Sequence, residues 1–305
     1  MSTKKNSIWP NSARAAIALT LDNMGEAADL NRGIWRSAQD IGNHYSVVEV
    51  IPQILTILAK HNIHATYFIE SWNLSIYPDT IKEIARAGHE IAWHAWQHEA
   101  WNRLDEATEN SNFARSFGQE GIEGYCAKHG KALVDRYRGF RPPGGLIHGE
   151  RTLKLCRQYG LDYISPAAEQ AAVAKISPNG ESIAILPFRW TTVDATYYME
   201  AFGKLRKLKG FPSEEPLTGQ ELTKHYINQI DETIRNGGFL SLLFHPFLTT
   251  SPERIKAMET VIQHLATRRD EGSIWLAKCQ DISAYVHEHP NTVPEDPVWD
   301  MTSWR

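Results

Sequence analysis

Cysteine is scarce in this chain. There are three, Cys126, Cys156 and Cys279, spaced too widely to build a disulfide framework or a metal knuckle. Long apolar runs are missing as well: no stretch approaches the roughly 20 residues a membrane span requires. Met1-Ser2-Thr3-Lys4-Lys5-Asn6 has no apolar segment behind it, which a secretory signal needs. Together these absences predict a cytoplasmic protein. Nor does one sign of charge dominate. Lys and Arg number 32 and Asp and Glu 36, a formal net charge of -4 with no basic run, which argues against nucleic acid and membrane surfaces as partners. There is no internal repeat, low-complexity tract or Pro/Gly/Ser linker, and nothing in the sequence speaks to the oligomeric state.

What remains is ordinary globular composition, 42% hydrophobic and 22% charged over 305 residues, enough for a sizeable core. Short apolar segments alternate with amphipathic ones. Strands are predicted at 15–21, 65–69, 90–93, 138–141, 161–165, 183–188, 239–244 and 273–276. Helices are predicted at 47–60, 81–87, 105–131, 150–159, 219–235 and 253–267. Such alternation implies a mainly parallel sheet with right-handed crossovers. This many units favours an α/β barrel over an open sheet, with seven or eight parallel strands in one domain spanning 1–305. Its core runs from about 15 to 286, and the tail 289–305 is expected to pack as an extended strip. The connection 195–218 has no clear period and reads as a lid or edge loop.

Polar residues at the ends of apolar strands are where a parallel barrel places its active site, and the sequence offers several. His94 and His98, after the segment Glu90–Trp93, stand at the i, i+4 spacing that shares one helix face and lets two imidazoles meet one metal ion. They read equally well as two unremarkable helix-face histidines. Asp22 ends the first strand as a general base, a metal ligand or a helix N-cap, and the amide oxygen of Asn23 is a further ligand candidate. Arg141 precedes Pro142 and Pro143, which fix the backbone, and Gly144-Gly145, which let it pass close to a ligand. A buried Arg141 needs an anion, and Asp22 or Asp194 can serve. His245 ends an uncharged strand as a general acid or a core histidine. Trp35, Trp72, Trp93, Trp96 and Trp101 cluster in sequence around these segments. Their faces suit sugar rings, and each alone reads equally well as core.

Taken together, the segments resemble the polysaccharide deacetylase superfamily of carbohydrate esterases, from about Ala15 to Val286 and in motif order. Thr20-Leu21-Asp22-Asn23 resembles its TFDD motif, with Asn at the second acidic position. His94 to His98 resembles the HxxxH metal motif, Arg141-Pro142-Pro143-Gly144 the RxPY motif, and Leu242 to His245 the LxxH motif. Trp190 to Asp194 falls where an Asp and a Trp build one groove wall. The resemblance implies a distorted (β/α) barrel and a divalent metal, commonly one Zn²⁺, held by Asn23, His94 and His98, with Glu26 or Asp29 as substitute ligands. It implies Asp22 as base, Arg141 as its tether, Asp194 in the catalytic set and His245 as acid. Glu26, Trp96, Pro143, Gly144 and Trp190 are the expected substrate contacts. The implied reaction is hydrolysis of a C–N amide bond, foremost deacetylation of an N-acetylated sugar or small amide. The alternatives are a metal-free hydrolase of cyclic amides and an inactive glycan-binding barrel. The expected substrate is a small molecule or sugar derivative, in place of an intact wall polymer.

Overall fold

A computed structural model describes residues 8–36, 38–176 and 181–302. The first six residues, read above for a signal, and residues 303–305 of the tail lie outside the described residues. The nine strands are β1 (Ala15–Asp22), β2 (Thr66–Ile69), β3 (Glu90–Trp93), β4 (Gly139–Phe140), β5 (Tyr163–Ile164), β6 (Ala172–Lys175), β7 (Ser182–Ile185), β8 (Gly238–Phe244) and β9 (Ile274–Leu276). They form one curled sheet in the order β6-β7-β5-β4-β3-β2-β1-β8, with β9 paired to the start of β1. Every pair is parallel except β6–β7. The expected distorted barrel is therefore present as a half-closed one, and its edge hairpin is antiparallel.

The alternation in Ala15–Asp22 explains the curl. Successive side chains on a strand point to opposite faces. Ile17, Leu19 and Leu21 face the outer layer, where they pack with Val47, Ile51, Ile54 and Leu58 of the first long helix segment and Met258, Val261 and Leu265 of the last. Ala16 and Ala18 face inward among Phe68, Ala92, Tyr163 and Ala184. Small residues suit that concave interior, where large ones would hold the strands apart. The helix Cys279–Glu288 plugs its lower end with Cys279, Ile282 and Val286. Nearer the strands' C-terminal ends the inward positions turn polar, Thr20 and then Asp22. Gly139 is required in β4, because a Cβ there would sit 1.9 Å from the Tyr163 ring.

Some elements differ from the sequence expectation. The region 105–131 is two helices, Glu106–Phe117 and Ile122–His129, because the chain folds back so tightly between them that a Cβ on Gly121 would meet the Ser116 carbonyl oxygen at 1.9 Å. The 195–218 connection carries two short helices, Asp194–Tyr198 and Gly203–Leu208. β6 and the helix Cys279–Glu288 were not anticipated. The tail begins with a 3-10 turn at Pro290–Thr292 and then meets the sheet: Val173 N–H donates to the Pro294 carbonyl, Glu169 N–H to Val298, and Asp300 N–H to the Ala167 carbonyl. It thereby covers part of the sheet edge beside β6, which would otherwise expose unpaired backbone groups.

Candidate active site

Four strand ends converge on one cavity. Asp22 is the last residue of β1, and His94, Arg141 and His245 each follow directly on β3, β4 and β8. The cavity has about 530 Å³ of empty space. Its polar lining is Asp22, Asn23, Arg32, His94, His98, Arg141 and His245. Phe188, Trp190, Met199, Phe202 and Phe247 form an apolar wall, so part of the 195–218 connection does cover the site.

Arg141 is fully buried and holds the floor. Its Nη1 donates to Asp22 Oδ1 at 2.7 Å and Thr20 Oγ1 at 2.9 Å, and its Nε and Nη2 donate to Ser165 Oγ. Nη2 also reaches Ser241 Oγ, and the guanidinium lies 4.0 Å over the Phe68 ring. A buried ion pair offsets its desolvation only when its remaining donors are satisfied, and here four side chains on three segments satisfy them. Asp22, not Asp194, is the partner of this guanidinium.

Asp194 instead clasps His245. One carboxylate oxygen accepts from the His245 backbone N–H at 2.7 Å, and the other meets Nδ1 at 2.5 Å. That fixes Nδ1 as the protonated nitrogen and leaves Nε2 for the cavity. Burial by itself lowers the pKa of His245, but the Asp194 charge and hydrogen bond outweigh it, and the net shift is upward. His94 goes the other way, pushed down to about 4 chiefly by burial. Its Nδ1–H donates to the Arg141 carbonyl at 2.7 Å, and Nε2 lies 3.9 Å from Asp22 Oδ2.

The histidine pair is not on a helix. Residues 95–97 form a turn, with Ala95 at φ +68° and His98 at φ +66°. The convergence of His94 and His98, ring centroids 4.9 Å apart, therefore comes from a left-handed turn. Asn23 beside Asp22 is also left-handed, φ +60°. Non-glycine residues held this way cost about 1–3 kcal/mol each and gather at functional sites.

Several expected contacts are corrected. Glu26 is fully buried and does not line the cavity. Its carboxylate accepts from the Gly42 N–H at 2.7 Å and the Tyr77 hydroxyl at 2.5 Å, so it neither ligates nor binds substrate; Asp29 does not line the cavity either. Trp96 also lies outside it, with the Arg115 guanidinium 3.9 Å above its ring. Pro142 and Gly144 line the cavity but Pro143 does not. Trp93 and Trp101 pack in the core against Phe113 and Phe140 in tilted and edge-on contacts, and of the described tryptophans only Trp190 lines the cavity. Arg32, Phe188, Met199, Phe202 and Phe247 were missed. Arg32 follows a five-residue helix, Ala27–Asn31, in a stretch without period, and no local signal marks it.

The donor set was tested for the expected zinc. A catalytic zinc site takes three protein ligands with free lone pairs. His94 fits, since its Nδ1–H is engaged and Nε2 is bare. Asn23 Oδ1 is buried without a partner. His98 does not fit. Its Nδ1 sits 3.2 Å from Arg32 Nη2, and a guanidinium only donates. Nδ1 is therefore the acceptor, and in the neutral ring Nε2 carries the hydrogen. A fixed positive charge also stands where a dication would need negative ligands. Among the described residues no group of three or more His, Cys, Asp or Glu side chains is placed to hold a metal ion. The expected set of Asn23, His94 and His98 is thus incomplete for a divalent ion.

An ion-paired carboxylate and a carboxylate-backed imidazole at the strand ends of a half-barrel are the marks of a barrel enzyme. The chain belongs to the polysaccharide deacetylase family, which it matches over residues 11–164. A peptidoglycan deacetylase of Helicobacter pylori is 21% identical over 281 residues, 86% of this chain and 89% of that one. A peptidoglycan-N-acetylglucosamine deacetylase of Bacillus cereus is 29% identical over 134 residues, 43% of this chain and 57% of that one. With another curated relative the aligned stretch covers only 37% of its length. A Mycobacterium smegmatis structure described as a polysaccharide deacetylase has the same fold, with a TM-score of 0.76 at 23% identity over 96% of this chain and 97% of that one.

Proposed function

We infer that the protein hydrolyses a C–N amide bond, with removal of an acetyl group from an N-acetylated sugar or small amide as its leading reaction. One observation carries this: a base held by Arg141 and an acid held by Asp194 line one cavity. Asp22 Oδ2 is left free to take a proton from water as its oxygen adds to the carbonyl carbon. His245 Nε2–H is left free to protonate the departing nitrogen as the C–N bond breaks. The products are a carboxylate and an amine, and the proton on Asp22 returns through solvent. Family membership and the deacetylase activities named for its relatives support amide hydrolysis over a binding-only role.

The acid assignment has a pH signature. Because the net shift of His245 is upward, the alkaline limb of kcat/KM is expected above the ordinary histidine value of about 6.5. Asp194→Asn removes the charge that raises it and leaves burial, which lowers it. The limb should then move to lower pH, and kcat at neutral pH should fall by about 10²-fold or more. A pH–rate profile whose alkaline limb is unchanged in that variant rules out the Asp194–His245 pair as the acid.

Substrate size follows from the apolar wall. Phe188, Trp190, Met199, Phe202 and Phe247 line the same cavity as Asp22 and Arg32, which suits a compact substrate. The described residues contain no helix long and apolar enough to cross a membrane, and the cysteines are buried and unpaired, which fits a reducing compartment. We propose a small molecule or sugar derivative as the substrate and the cytoplasm as the place of action. Assays on an N-acetylated monosaccharide and its oligomers should give kcat/KM values within a few-fold of one another; a steep rise with chain length would assign it a polymer.

A further inference from the structure

We propose that Arg32 and His98 together supply the electrophile of this site, and that it works without a divalent ion. The proposal rests on the amide-hydrolase reading above and adds what that reading leaves open, namely what stabilises the negative charge on the carbonyl oxygen. Arg32 lines the cavity and its Nη2 donates to His98 Nδ1 at 3.2 Å. The His98 ring then presents Nε2–H, polarised by the guanidinium behind it. Across from it, His94 Nε2 is a bare lone pair 3.9 Å from Asp22 Oδ2. A water held between those two acceptors donates both hydrogens to them and turns its lone pair outward.

The step balances without a metal. The water oxygen bonds to the carbonyl carbon and its proton passes to Asp22. The carbonyl π electrons move to oxygen, whose negative charge is stabilised by His98 Nε2–H, polarised by Arg32 behind the ring. The C–N bond then breaks, and the nitrogen takes the His245 proton. A preorganised donor at a developing oxyanion contributes about 10²–10³-fold in rate. The replacement of the second motif aspartate by Asn23 belongs to the same change, since a cation in the site removes the need for a second carboxylate.

Arg32 acts through His98 and is a positioning residue, so the test reads the ring directly. Long-range ¹H–¹⁵N NMR of the wild-type protein should show His98 as the Nε2–H tautomer, and Arg32→Gln should lose that preference while the fold, by circular dichroism, is kept. A wild-type Nδ1–H tautomer would overturn the proposal. In parallel, EDTA-treated protein is titrated with zinc chloride against a chromophoric chelator. Wild type should show no stoichiometric site tighter than about 1 μM, and Asn23→Asp/Arg32→Ala should gain at least about 100-fold in zinc affinity. One equivalent bound by wild type and lost in His94→Ala would sink the proposal. The two readings fail separately: amide hydrolysis that requires added zinc contradicts this inference alone, whereas absent hydrolysis with the Nε2–H tautomer and no zinc site contradicts the function alone.

Discussion

Asp22→Asn should cut kcat by about 10³-fold, within the range a positioned general base contributes. The substitution keeps an oxygen to accept from Arg141 Nη1 but removes the lone-pair basicity that takes the water proton. KM should change much less than kcat, because the side chain's role falls in the transition state and not in ground-state binding. The structure also removes the fallback. Glu26, the other acidic residue next to the motif, is sealed against Gly42 and Tyr77 and cannot take over. Single-turnover kinetics of the variant at several pH values is the check, and a kcat near that of wild type would end the assignment of Asp22 as base.

Arg141→Met should be the most damaging substitution for stability. It strands the Asp22 carboxylate in a buried place and leaves Thr20, Ser165 and Ser241 without their shared donor. Breaking a buried pair by removing one partner costs about 3–5 kcal/mol. At the size of this domain that corresponds to a fall in Tm on the order of 10 °C. Loss of activity should accompany it, since the Arg141 guanidinium also fixes Asp22. Differential scanning calorimetry at constant pH decides the point: a Tm within about 2 °C of wild type would show that the network under the site is not what holds it together.

The fold was legible where apolar segments are bounded by a change of character. β1, β3, β4 and β8 each run into a polar residue that lies at the site, so strand ends and candidate residues came from one signal. β6 was invisible because Ala172–Lys175 is short and lies in the antiparallel edge hairpin, away from the repeating strand–helix pattern. The helix break at Gly118–Gly121 was read through because polar helix and polar turn have similar composition. At the site, Asp22, His94, Arg141 and His245 were legible because each sits on a rigid strand end. Arg32 was not, since its role depends on a fold-back that brings it to His98 from 66 positions away. The i, i+4 spacing of the two histidines suggested a helix, yet a left-handed turn brings them together. Glu26 misled for the opposite reason: sequence proximity to the motif says nothing about which way a side chain turns after Gly25, whose φ of +65° redirects the chain.

The central claim, hydrolysis of an amide by Asp22 and His245, is tested most directly by acetate release. Purified wild-type and Asp22→Asn proteins are incubated with a panel of N-acetylated sugars and small acetamides, and acetate and free amine are quantified together. Equal molar acetate and amine from at least one substrate with wild type, and release reduced about 10³-fold with the variant, is the predicted result. No release from any member of the panel, or equal release by both proteins, would contradict it.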